Sequence, residues 1–123
     1  MNRKRLEGKL MGMVKAFVKE RDNHTCQWCG RDHLKGFFCQ ASHVISIRID
    51  LRLAYDPMNM KVLCTQCHAK YEGNKEAGKE WFKGKFPERF LYIEQQRITN
   101  LKKGTMFDSW FEDKIREWKN DKN

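Results

Sequence analysis

Cys26-Gln27-Trp28-Cys29 and Cys64-Thr65-Gln66-Cys67-His68 decide how this chain is read. Two cysteine pairs of identical spacing bracket a segment that carries His43 and Asn59. Thiolates three residues apart can both reach one ion, and four of them complete a tetrahedral zinc shell. Two disulfides or two incidental pairs of core cysteines are the competing readings. The paired spacing favours metal. A zinc held by Cys26, Cys29, Cys64 and Cys67 would pin His68 beside its own shell and fold the intervening segment back, so that His43 can approach.

The chain has 123 residues, 40% hydrophobic and 33% charged, which suits one soluble domain with helical additions. A zinc module of about 50 residues buries too little apolar surface alone, so metal binding and folding should be coupled. Five cysteines with four in knuckles fit a reducing compartment. Cys39, beside Phe37 and Phe38, is left over and reads as a small buried hydrophobe. The formal charge of +9 favours a polyanionic partner, nucleic acid first, over lysines that serve only solubility. Leu10 to Val18 is short, is interrupted by Lys15 and lacks a cleavage site, and no stretch approaches membrane-spanning length. A cytoplasmic protein is expected.

In chain order, residues 1–9 carry Arg3, Lys4, Arg5 and Lys9 against Glu7 and read as a basic flexible arm. Leu10, Met13, Val14, Phe17 and Val18 have the spacing of an amphipathic helix ending near Arg21. Gly30 allows the tight turn of the first knuckle. Trp28, between its ligands, either shields the ion or stacks on a base. Residues 37–49 should contain a strand, and 50–55 a second strand or an irregular loop before the Asp56-Pro57 turn. A helix runs from Thr65 to Gly73-Asn74, placing His68 and Glu72 one turn apart on one face. A short helix around residues 78–82 follows. Pro87 opens another with Phe90, Leu91, Ile98 and Leu101 as its buried stripe and Gly104 as its stop. In residues 105–123, Thr105 and Asp108 suggest a cap, and Phe107, Trp110, Phe111, Ile115 and Trp118 form one apolar face. That amphipathic helix packs on the domain, meets a partner protein or self-associates.

The order Cys26-x-x-Cys29, His43, Asn59, Cys64-x-x-Cys67-His68 resembles the HNH endonuclease (ββα-metal, His-Me finger) family with zinc knuckles. More narrowly, Ala41-Ser42-His43-Val44-Ile45-Ser46-Ile47-Arg48 and Tyr55-Asp56-Pro57-Met58-Asn59 are similar to the NinG-type recombination nucleases of phages, and Gly73-Asn74 adds to the similarity. The resemblance covers about residues 20 to 100. It implies an α+β fold: a treble-clef, ββα-metal core stapled by a four-cysteine zinc, with N-terminal and C-terminal helices. Residues 10–104 would form the nuclease domain. The implied activity is metal-dependent hydrolysis of DNA phosphodiesters in phage DNA processing or recombination, within the bacterial host. Branched or single-stranded DNA would be the substrate, cleaved with weak sequence preference.

The residues themselves suit that chemistry. His43 alone would read as a core histidine; between two zinc knuckles it reads as a general base. By the resemblance, Asn59 holds His43 in orientation through nearby backbone, and His68 binds a catalytic divalent ion such as Mg²⁺, Mn²⁺ or Ni²⁺. Arg48 either clamps the scissile phosphate or is one more solvated cation. One departure stands out. Many members of the family carry Asp or His before the general base, whereas this chain has Ser42, a poor ligand for a hard cation. Glu72 is the nearest substitute by helical spacing, unless it pairs with Lys75 or Lys79 at the surface; Asp50 and Asp56 are further candidates. The alternative to a nuclease is a non-catalytic zinc-ribbon module that binds nucleic acid.

Overall fold

The computed structural model describes residues 2–121 and is an α+β fold of five α-helices and a two-stranded antiparallel sheet. The order is α1 (Arg3–Arg21), β1 (Gln40–His43), β2 (Met60–Leu63), α2 (Thr65–Gly73), α3 (Lys75–Lys85), α4 (Pro87–Leu101) and α5 (Asp108–Asp121). Among the described residues no helix is long and apolar enough to cross a membrane.

Helix α1 begins earlier than the sequence suggested. The Asn2 side chain caps it by accepting from the Arg5 N–H, and Leu6 is buried. Leu6, Leu10, Val14 and Val18 recur every four residues, so the apolar stripe runs one turn further back than Leu10. Residues 3–9 are therefore helical and not a flexible arm. Arg3 also reaches the C-terminal segment, donating to the Met106 carbonyl at 2.6 Å and to Asp108 at 3.0 Å.

The sheet is short and buried. Gln40 pairs with Leu63, Ala41 with Val62, Ser42 with Lys61 and His43 with Met60. Every residue of β2 is buried. The second strand is Met60–Leu63, and residues 53–55, where a strand or loop was expected, form a 3₁₀ turn. Asp22 braces β2 by accepting from the Val62 N–H at 2.9 Å, and Arg21 ties Asp22 to the Pro57 and Met60 carbonyls. Arg89 from α4 also donates to Met60 O, at 2.6 Å. The main core lies between α1, the sheet, α2 and α5; Val44, Ile45, Leu53, Phe82 and Ile93 form a smaller one under α3 and α4.

Two expected faces are corrected. On α4 the fully buried residue is Ile93, whereas Leu91, Ile98 and Leu101 are exposed. This helix packs through one narrow seam, and its later turns run out past the core. Helix α5 starts at Asp108 and not after a Thr105 cap; Phe107 precedes it and is exposed. The remaining face lies on the domain, with Phe111 fully buried and Trp118 edge-on to Phe17 of α1 at 5.2 Å. Residues 122–123 lie outside the described residues.

Close approach of α2 to α3 depends on Gly78. A Cβ there would sit 2.4 Å from the buried Tyr71 ring. Gly78→Ala should therefore cost about 1–3 kcal/mol by overpacking. Leu101→Ala should stay within about 0.5 kcal/mol, as exposed substitutions do. Denaturant unfolding of the two variants tests this; a Gly78→Ala protein as stable as wild type would contradict the packing described.

Candidate active site and metal centre

The four knuckle cysteines converge. Cys26 and Cys29 come from the loop after α1; Cys64 caps α2 and Cys67 lies in its first turn. Their sulfur atoms all lie within 4.8 Å of one another, and Cys29 Sγ is 3.8 Å from Cys64 Sγ. Zinc–sulfur bonds of about 2.3 Å in a tetrahedron place sulfurs about 3.8 Å apart, so the donor set fits zinc. Gly30, at φ +82°, makes the knuckle turn. The Cys29 N–H donates to Cys26 Sγ and the Cys67 N–H to Cys64 Sγ. Burial raises the Cys26 thiol, but hydrogen bonds from Cys29, Cys64 and Trp28 outweigh it and bring the group down to about 7. Burial, with its cysteine neighbours, pushes Cys67 far up. Trp28 stacks on Trp81 at 4.6 Å with Lys70 Nζ 4.2 Å from its ring centroid, so it packs at the knuckle between protein groups. Cys39 is buried, as its apolar surroundings suggested, while Phe37 and Phe38 are exposed.

Beside this cluster lies a cleft of about 480 Å³ lined by Ser42 and His43 at the end of β1, His68 and Glu72 on α2, and Lys15, Lys75 and Lys79. The half-buried His43 ring is fixed at one nitrogen: Nε2 lies 2.9 Å from the Ala54 carbonyl. A carbonyl only accepts, so Nε2 carries the hydrogen and the neutral ring offers Nδ1 as a base. Burial holds His43 below the ordinary histidine range; Lys15 and Lys61 add to this, and the Ala54 carbonyl and Glu72 oppose it.

Asn59 is fully buried. Its Oδ1 accepts from the Ile45 N–H at 2.9 Å, and its Nδ2 donates to the carbonyls of Ile45 and Leu53, each at 3.0 Å. It thus ties the segment after His43 to the turn whose Ala54 carbonyl holds the imidazole. His68 Nδ1 is buried with no hydrogen-bond partner among the described residues, an unmet need that a cation would satisfy. Burial, first, depresses its pKa, which leaves a neutral imidazole suited to metal.

The acidic candidates separate. Glu72 lines the cleft and also lies 3.9 Å from Lys75. Asp50 instead caps the Leu53 N–H and takes Asn100, and Asp56 accepts from Met58 N–H and the Tyr92 hydroxyl. Arg48 is exposed; its turn reaches the cleft through Ser46, Ile47 and Ile49.

A phage protein described as "Probable HNH endonuclease", from Lactococcus phage SK1, is 30% identical to this chain over 70 residues, spanning 54% of this chain and 72% of the phage protein. The chain belongs to the HNH endonuclease family. No family model and no solved structure matches it.

For an HNH chain, one resident of this site has no counterpart in the sequence reading. Lys61 is fully buried beneath the cleft, with Nζ 2.9 Å from Ser42 Oγ and 2.7 Å from the His43 carbonyl. A lone lysine in an apolar strand reads as an edge residue. Only the Ser42–Lys61 pairing reveals its place.

Metal analysis should find about one zinc per chain, and a strong chelator should abolish the folded signal in circular dichroism, because the binding energy is part of the folding energy. A folded, zinc-free protein would overturn the assignment.

Proposed function

We propose that this chain is a metal-dependent DNA endonuclease of the NinG-like recombination type, with residues 10–104 as its nuclease domain, acting on phage DNA in the host cytoplasm. The observation that carries it is the pairing, in one cleft, of a base-competent His43 with an unpartnered His68 Nδ1. Knuckle, β1, β2 and α2 follow one another with the four cysteines joining the first to the last. That order supports the treble-clef, ββα-metal reading of the core.

In this reading His43 accepts a proton at Nδ1 from a water that attacks phosphorus. The bond from phosphorus to the 3′ oxygen breaks, leaving a 5′ phosphate, and the departing 3′ oxygen takes a proton from solvent water to become a hydroxyl. Asn59 and the Ala54 carbonyl keep the ring aimed throughout. His68, with Glu72 beside it, would hold a divalent ion. Such an ion supplies charge neutralisation on the phosphate and on the departing oxygen. Lys15, Lys75 and Lys79 attract the backbone along the cleft, and Arg48 meets the phosphate from the rim. Without a helix that reads base edges, recognition rests on phosphates and DNA shape, so nicking or structure-directed cleavage with weak sequence preference follows.

Supercoiled plasmid incubated with Mg²⁺, Mn²⁺ or Ni²⁺ should be nicked by wild type, and His43→Ala should be slower by about 100-fold or more. Equal rates with every ion would refute the assignment of the base. The pH dependence follows from burial. A base whose pKa is depressed stays neutral to lower pH, so the rate should hold its plateau at the ordinary histidine value of about 6.5 and fall only below it. An acid limb centred above pH 7 would contradict this.

A further inference from the structure

Lys61 is fully buried, yet no carboxylate lies within ion-pair distance of it among the described residues. Burying an unpaired ammonium is costly, and a methionine or leucine would fill the same volume without that cost. Its surroundings account for all three of its N–H bonds. Ser42 Oγ accepts at 2.9 Å, the His43 carbonyl accepts at 2.7 Å, and the Tyr71 ring lies with its centroid 3.4 Å away. Tyr71 is itself fixed, by its hydroxyl donating to the Val44 carbonyl at 2.9 Å and by Gly78 against its ring. Residues 42, 43 and 44 are thereby each tied to the Lys61–Tyr71 pair.

We propose that Lys61 is a positioning residue for the nuclease site, its ammonium clamping the end of β1 so that the His43 imidazole is held in place from beneath. The inference rests on the nuclease reading, but its central test does not. The clamp also places a positive charge under His43, which disfavours the imidazolium. The other charges bearing on His43 are Lys15 from α1 and Glu72 from α2; those bearing on Lys61 are Glu72 and Arg89. Burial drives the Lys61 pKa well down, with Arg89 adding to this and Glu72 opposing it. The Ser42 and His43 acceptors and the Tyr71 ring favour the charged form.

The experiment compares Lys61→Met, Lys61→Arg and wild type, all loaded with zinc. Histidine ring resonances are titrated by NMR without added divalent ion, and plasmid nicking is then followed across pH. Lys61→Met should fold and bind zinc, nick at least about 10-fold more slowly, and show the His43 titration and the acid limb of the rate moved up by about half a unit or more. Lys61→Arg should restore the titration, since it keeps the charge and the donors. A Lys61→Met protein with wild-type titration and wild-type rate would reduce Lys61 to packing and overturn the proposal. Should Lys61→Met not fold, Lys61→Arg and Ser42→Ala decide it: a wild-type rate profile in Ser42→Ala with a shifted His43 titration in Lys61→Arg overturns the clamp. Absence of nicking by wild type would instead sink the nuclease reading, while the titration still judges the clamp.

Discussion

Four sulfur atoms within 4.8 Å of one another join the loop after α1 to the first turn of α2. A metal held by them would close residues 30 to 63 into one loop with fixed ends. The sheet inside that loop has only four residues per strand. Such a short pair is marginal by itself in water. Here it is bounded by the cysteine cluster and braced from outside: Asp22 meets the Val62 N–H, and Arg21 and Arg89 share the Met60 carbonyl. The strand that pairs with the His43-bearing strand is thus held by charges from α1 and α4 as well as by its partner.

The two histidines come from different elements and line one cleft. His43 ends β1, and His68 lies one residue past a cysteine on α2. Each has one nitrogen accounted for differently: His43 gives its Nε2 hydrogen to Ala54, while His68 Nδ1 is buried and unmet. In the proposed mechanism one ring would take a proton and the other a cation. That proposed separation would rest chiefly on backbone and burial, with Glu72 bearing on both rings.

Much of this was legible in the sequence, for a physical reason. Metal-ligand spacing and helix periodicity are local, so the knuckles, the Thr65–Gly73 helix and the pairing of His68 with Glu72 could be read from residue types a few positions apart. What escaped was set by tertiary placement. Whether α4 buries Leu91 or Ile93 depends on which side meets the core, and both lie within an amphipathic pattern. The start of α1 was missed because Leu6 stands among charges, though it continues the stripe. Lys61 was invisible because its meaning resides in Ser42 across the sheet. Asp56, a plausible ligand by composition, turned out to hold Tyr92 and a turn.

The C-terminal helix gains a different significance from where it rests. Phe111 and Trp110 pack edge-on to Tyr55, at 5.3 and 5.8 Å between ring centroids. Tyr55 directly follows Ala54, whose carbonyl fixes the tautomer of the His43 ring. The last helix is therefore a buttress two steps removed from the imidazole. A chain shortened at residue 104 would keep the four clustered cysteines and every residue lining the cleft, yet it would leave the turn that holds the His43 ring without its backing.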